Sequence, residues 1–272
     1  MFNSAIFWKT ARDSAAMLIF AAIAIAGFVV LFTWSMVDMG EELMAFVQKF
    51  EFLKKIFEFG LGIDVSGDVS INVLLSACFT HAMVFILSWS FIISTTSRVT
   101  VGEVERGTAD LLLTLPVNRH EVYFSTSLVW ILAAVILAFC PIVGIWIGTQ
   151  ILTIEGPIEL SKYVAPAINS LCLLWAIGGI SSMVSSILNR RGLAIALVSG
   201  FLIVSAMLNF VEAFIEAIQR IRFIGMLSYF RPVDVVRNGE WPITHMFVLL
   251  GIAITCWVVG LVVFCKKDIP TA

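Results

Sequence analysis

The sequence predicts an all-α integral membrane protein with six transmembrane helices and both termini in the cytoplasm. Three observations carry that prediction. Mean hydropathy is +1.01, far outside the range of soluble domains. Six stretches contain no Asp, Glu, Lys or Arg: Ser14–Val37, Val69–Ser97, Val122–Ile154, Tyr163–Asn189, Gly192–Val211 and Trp241–Cys265. About 20 residues cross ~30 Å of hydrocarbon, so each stretch suffices for one crossing, and a helix satisfies the backbone hydrogen bonds that lipid cannot. Finally, if the spans alternate, Lys9, Arg12, Arg98, Arg190, Arg191, Lys266 and Lys267 flank one side. Asp38, Asp68, Glu155, Lys162, Glu212 and Glu240 flank the other. The side richer in flanking Lys and Arg is the cytoplasmic one.

The chain reads as one membrane domain over residues 1–272. Residues 1–13 form a lead-in helix lying on the membrane, with Phe2, Ile6, Phe7 and Trp8 dipping in and Lys9 and Arg12 facing headgroups. The first span covers about 15–37; its apolar run is too long for the core of a secretion signal, so it is read as retained. In the loop that follows, Leu43, Phe46, Phe50, Leu53 and Phe57 recur at 3-4-3-4 spacing. That is one apolar stripe of an amphipathic helix in the first extracytoplasmic loop, ended by Gly60 and Gly62.

Span 2 covers about 72–96 and contains His81, the one histidine set away from a span end and hence a candidate intramembrane polar site. A histidine bonded to a neighbouring serine or carbonyl is the commoner use. Span 3 covers about 124–148 and should kink at Pro141. In span 4, about 164–188, Gly178, Ser182 and Ser186 fall at four-residue intervals, a small-residue seam that lets another helix approach within this chain or from a second one. Span 5 covers about 193–211. Glu212, Glu216 and Arg220 at i, i+4, i+8 favour a helix carried on from it. Pro232, Asn238-Gly239 and Pro242 then break the chain before span 6, about 244–265.

The segment Gly102–Glu121, GEVERGTADLLLTLPVNRHE, stands out against this background, with seven charged or imidazole side chains in twenty residues. Thr108 can cap a helix starting at Ala109, with Asp110 in its first turn where the helix dipole favours a negative charge. Leu111, Leu112, Leu113 and Leu115 follow, and Pro116 stops it. Asn118 reads as a second N-cap, with Glu121 completing a capping box and Val117 and Val122 a hydrophobic staple. A two-residue turn would reconnect spans 2 and 3; a capped, leucine-rich helix there reads as a docking element for a cytoplasmic protein.

These residues resemble the cytoplasmic segment between spans 2 and 3 of ABC-2 type permeases, the membrane subunits of a class of ATP-binding-cassette transporters. Glu105, Gly107, Thr108, Asp110, Leu111, Leu112, Pro116, Arg119 and Glu121 match that pattern. FWKTARD resembles the family's elbow helix, LNRRGLA its second cytoplasmic loop and KKDI its basic-Asp ending. Ser125 and Thr126 stand where the family often has a lysine, and LSYFRP only loosely follows its Leu-Ser-Pro. The resemblance implies a non-catalytic subunit that dimerises with itself or a related permease above two ATPase subunits, in the inner (plasma) membrane of a bacterial cell. The segment 102–121 would hold the coupling helix. Leu111, Leu112 and Leu115 would pack into a groove on the ATPase, while Glu103, Glu105 and Arg106 would link the segment to Lys9 or Arg12.

The residues agree with that division of labour. The sequence holds no G-x-x-x-x-G-K-[ST] phosphate loop, so ATP and Mg would be bound by the partner, and this chain is expected to carry no cofactor or metal. Cys78, Cys140, Cys172, Cys256 and Cys265 lie in the uncharged runs without a C-x-x-C pair and read as packing residues. His81, His120 and His245 are not spaced as metal ligands, the acids lie singly in loops, and no basic patch points to nucleic acid. Export is the direction the resemblance implies. Uncharged spans with aromatic, Ser and Thr side chains suit a lipid-like or amphipathic cargo in a membrane-lipid setting. Two other classes stay open. One is an ATP-independent channel or secondary carrier, which would show broken spans or mid-membrane charges, and the sequence shows neither; the other is a membrane component of an ABC-powered machine, such as motility, that moves no solute.

Overall fold

The computed structural model describes residues 2–54, 70–98, 117–152, 158–211 and 222–267, and among these it contains helices and turns but no strand. Six helices are long and apolar enough to cross a membrane, as a multi-pass helical membrane protein requires.

Helix α1 runs without interruption over Ser4–Gln48, roughly 67 Å at 1.5 Å per residue. Asn3 caps it, its Oδ1 accepting from the N–H groups of Ala5 and Ile6 at 3.0 and 3.3 Å. Two expectations are corrected here. The lead-in is not a separate helix on the membrane but the first turns of α1, because no Gly or Pro stands between Asn3 and Gly27 to end them. At the far end, the helix expected in the first loop begins as the last turns of α1. Its buried face is Gly40, Met44 and Val47, while Phe46 and Phe50 of the predicted stripe are exposed and touch in a tilted pair with centroids 5.1 Å apart. Leu43 and Leu53 pack against the core; Phe57, Gly60 and Gly62 lie outside the described residues.

Span 2 is two helices, α2 (Ile71–Ser76) and α3 (Ala82–Ser97), joined by a 3₁₀ turn over Ala77–Thr80 and a break at His81, whose ψ of 137° is extended. Side-chain hydroxyls take carbonyls of the failing helix: Ser76 Oγ donates to Val73 O at 2.6 Å and Thr80 Oγ1 to Ala77 O at 3.0 Å, a local competition that weakens helices. The expectation of unbroken spans is thus corrected at this position.

Helix α4 (Arg119–Ile151) continues through Pro141. A 3₁₀ turn at Leu160–Tyr163 leads into α5 (Val164–Ile187), and α6 covers Arg191–Val211. The expected extension of span 5 through Glu212, Glu216 and Arg220 lies outside the described residues. Beyond them, Pro232 starts a helix where a break was expected: α7 spans Pro232–Asn238, with Pro at its first turn, Asp234 beside it, and Gly239 closing it at φ +70°. The last span is α8, Ile243–Lys266.

Helices α3, α4 and α5 form the interior, while the spanning windows of α1, α6 and α8 are only 17%, 22% and 22% buried and so offer their apolar faces to lipid. Two seams hold this arrangement. On α4, Gly144 and Gly148 admit α1: a Cβ on Gly144 would sit 2.8 Å from Ala26 O, and one on Gly148 2.9 Å from the Thr33 methyl. On α5, Gly179 admits α8, where a Cβ would lie 2.5 Å from Ala253 O. Without a hydrophobic drive between helices in lipid, such close approach supplies the packing that holds them together.

Candidate functional site

Alternation of the spans brings the start of α1, the end of α3, the start of α4, the end of α5, the start of α6 and the end of α8 to one end of the bundle. Residues 99–116 leave from α3 and return to α4 there. Glu103, Glu105, Arg106, Gly107, Thr108, Asp110, Leu111, Leu112, Leu115 and Pro116 lie outside the described residues. Both roots of the segment are described, and each is fastened to other helices.

At the first root, Arg98 Nη1 donates to Asp13 O of α1 at 2.8 Å. Next to it, Arg191 at the start of α6 reaches the end of α3: Nη2 donates to Ser94 O at 3.3 Å and Ser94 Oγ at 3.1 Å, and Nε to Ser97 Oγ at 3.3 Å. At the second root, Asn118 holds the N-cap position of α4, and Glu121 N donates to Asn118 O at 2.9 Å. The Asn118 side chain makes no cap bond, so the expected capping box is not formed. Val117 and Val122 do share one apolar cluster, with Ile6 of α1 and Phe264 of α8.

Arg119, expected among the ATPase-coupling residues, bonds to its own chain. Its Nη1 donates to Cys265 O at 3.4 Å and to Lys267 O, at the end of α8. Beside it, His120 Nδ1 and Cys265 Sγ stand 3.3 Å apart. Lys267 in turn donates to Ile187 O at 3.2 Å and Leu188 O at 2.7 Å, at the end of α5. Burial pushes the Lys267 ammonium below its ordinary value. The N-terminus closes the set, since Asn3 N donates to Ser125 Oγ of α4 at 2.8 Å. Arg119, Arg191 and Lys267 are thus spent on carbonyls that helix ends leave unpaired, where the helix dipole is negative, whereas Arg98 reaches a carbonyl inside α1.

Above these links sits a buried hydroxyl-rich layer. Gly178 lies under the Trp130 ring, where a Cβ would come within 2.3 Å of the ring. Ser182 and Ser186 are buried, Ser186 Oγ donates to Ser182 O at 2.8 Å, and the Tyr123 hydroxyl lies against both serines. The predicted small-residue seam therefore receives α4 of the same chain. Tyr123 OH donates to Trp257 O at 3.1 Å, Trp257 Nε1 to Ser127 Oγ at 2.8 Å, and Thr96 Oγ1 and Ser181 Oγ share a bond of 2.6 Å. An enclosed cavity of about 10 Å³ between Thr95, Thr126, Ser127 and Ser182 has room for one water. The Oγ1 of Thr95 is buried there without a protein partner.

His81 lies apart from all this, near the other end. It caps α3, its Nδ1 accepting from Met83 N at 3.2 Å, and its ring stacks on Phe28 with centroids 4.4 Å apart. Among the described residues no three His, Cys, Asp or Glu side chains stand close enough to hold a metal ion. Sequence reasoning missed the Gly144–Gly148 seam, although its four-residue spacing is the signal used for Gly178. It also missed the cations' carbonyl partners, which no local signal could have given.

No curated protein sequence matches the chain. Residues 42–270 match a family described as "Protein of unknown function (DUF2705)".

Proposed function

We propose that this chain, which belongs to the DUF2705 family, is the membrane-spanning permease subunit of an ABC-2 type transporter. A separate ATPase would drive it, and it would export a lipid-like or amphipathic substrate as a homodimer or beside a related permease. Its site in the cell would be a bacterial inner membrane with both termini inside. One observation supports the reading above others: each of the six spans is tied, at the end where residues 99–116 emerge, to at least one other. The ties run from α1 to α3 through Arg98, from α1 to α4 through Asn3, from α4 to α8 through Arg119, from α8 to α5 through Lys267, and from α6 to α3 through Arg191. A push on the polar segment Gly102–Glu121 is then delivered to the whole bundle. A displacement imposed on either root changes the spacing of all six helix ends, because the linked carbonyls belong to the helices themselves.

The test is purification of the tagged chain in mild detergent, with mass spectrometry of what accompanies it. A stoichiometric partner carrying a phosphate-loop motif, lost in Leu111→Asp/Leu112→Asp, is the expected result. Recovery of the chain without an ATPase, even after crosslinking in cells, overturns it. The break of span 2 at His81 favours a second reading, an ATP-independent carrier. Nucleotide-independent substrate uptake by vesicles holding the pure chain would select that one. A motility-type machine would show the ATPase partner but no solute movement.

A further inference from the structure

The structure assigns an anionic-phospholipid site to the corner where α5 and α8 end. There a surface groove of about 320 Å³ opens between Ile187, Val262 and Val263, with Lys266 and Lys267 at its rim. Its walls are aliphatic, and Ile187 and Val262 are 53% and 46% exposed, so in a membrane they meet lipid chains. The rim falls where a spanning helix leaves the hydrocarbon, the level of phosphate groups. Apolar wall and cationic rim therefore stack in the order of an acyl chain and its headgroup.

The rim charges are available. An ammonium has three N–H donors; Lys267 spends two on Ile187 O and Leu188 O, which fixes its position and leaves one for a ligand. Lys266 is exposed. Arg190, also exposed, lies two residues from the Leu188 carbonyl that Lys267 holds. The dipoles of two helix ends oppose an anion here, but each is already met by a cation, α5 by Lys267 and α8 by Arg119. Among the described residues of this corner, Glu121 at the base of α4 is acidic, against Arg190, Arg191, Lys266 and Lys267. The surplus is positive, and the occupant it fits is a phospholipid with a net negative headgroup, one chain lying along Ile187 and Val262. Such a lipid would brace the corner of the α5–α8 junction that Lys267 bridges. The assignment stands independently of any ATPase partner.

Native mass spectrometry of the delipidated full-length chain, titrated with phosphatidylglycerol or phosphatidylcholine, tests it. The expected result is preferential binding of a first phosphatidylglycerol. About a fivefold loss in affinity follows for Lys266→Gln, the worth of one surface cation near a membrane. Val262→Trp, which fills the groove and keeps every charge, should abolish the preference. Lys266→Gln and Val262→Trp leave the Lys267 cap intact, so neither depends on a variant that disturbs the α5 end. A preference that survives Val262→Trp overturns the groove, and equal binding of the two lipids overturns the charge. Full displacement of the lipid by millimolar inorganic phosphate would make the ligand a free anion and overturn the lipid assignment.

Discussion

The two ends of the bundle are held by different chemistry. At the end where residues 99–116 emerge, Arg98, Arg119, Arg191 and Lys267 bind main-chain carbonyls of neighbouring helices. At the opposite end, among the described residues, neutral groups cross-link the helices. Asn72 Oδ1 accepts from Glu159 N at 3.2 Å and from the Tyr163 hydroxyl at 3.1 Å, and Asn169 Nδ2 donates to Tyr229 O at 3.2 Å. The described ion pairs there, Lys162–Glu159 and Arg231–Asp234, are exposed and span three residues within one turn, so they contribute little. Buried neutral bonds lock a geometry. A long cation on a helix end can slide to an adjacent carbonyl while remaining paired, the property that the proposed coupling to an ATPase would require.

The middle joins the two ends, and breaking it should have the largest effect. Gly179→Val places a side chain into Ala253 O and should cost about 3 kcal/mol, seen as a lowered Tm in detergent with both ends loosened together. A Tm unchanged by this substitution would mean that α5 and α8 are not in close contact. Asn72→Ala removes the acceptor shared by Glu159 N and Tyr163 and should cost about 2 kcal/mol, equally at low and high salt. Arg119→Gln, by contrast, should cost about 1 kcal/mol at low ionic strength and less as salt rises. Identical salt responses of these two variants would erase the distinction between the ends.

At the break in span 2, His81→Ala should cost about 1 kcal/mol through the lost cap, with His81→Asn restoring most of it. Failure of His81→Asn to rescue would point to a role for the imidazole beyond capping. The smallest effect concerns Lys267. Burial lowers its pKa in the folded chain below the ordinary 10.5, so the unfolded chain binds that proton more tightly. Stability should therefore rise with pH across the interval between the folded value and 10.5. Lys267→Gln should flatten that rise.

Much of the fold was legible in one dimension because a membrane makes the rule local. A run without charges must become a helix that closes its own hydrogen bonds, and the spans expected at about 164–188, 193–211 and 244–265 correspond to Val164–Ile187, Arg191–Val211 and Ile243–Lys266. The charges of Gly102–Glu121 and the spacing of Gly178, Ser182 and Ser186 were also there to read. Only the tertiary structure decided the rest. It merged the lead-in and the loop as far as Gln48 into α1, with no Gly or Pro between Asn3 and Gly27 to separate the lead-in from the span. It broke span 2 at His81, where hydroxyls and an imidazole cap outcompete the backbone over one turn. It sent Arg119 and Lys267 to carbonyls 148 and 79 residues away in sequence. A cation's sequence neighbours fix the side of the membrane on which it lies, but the helix end it neutralises is set by which ends the packing brings beside it.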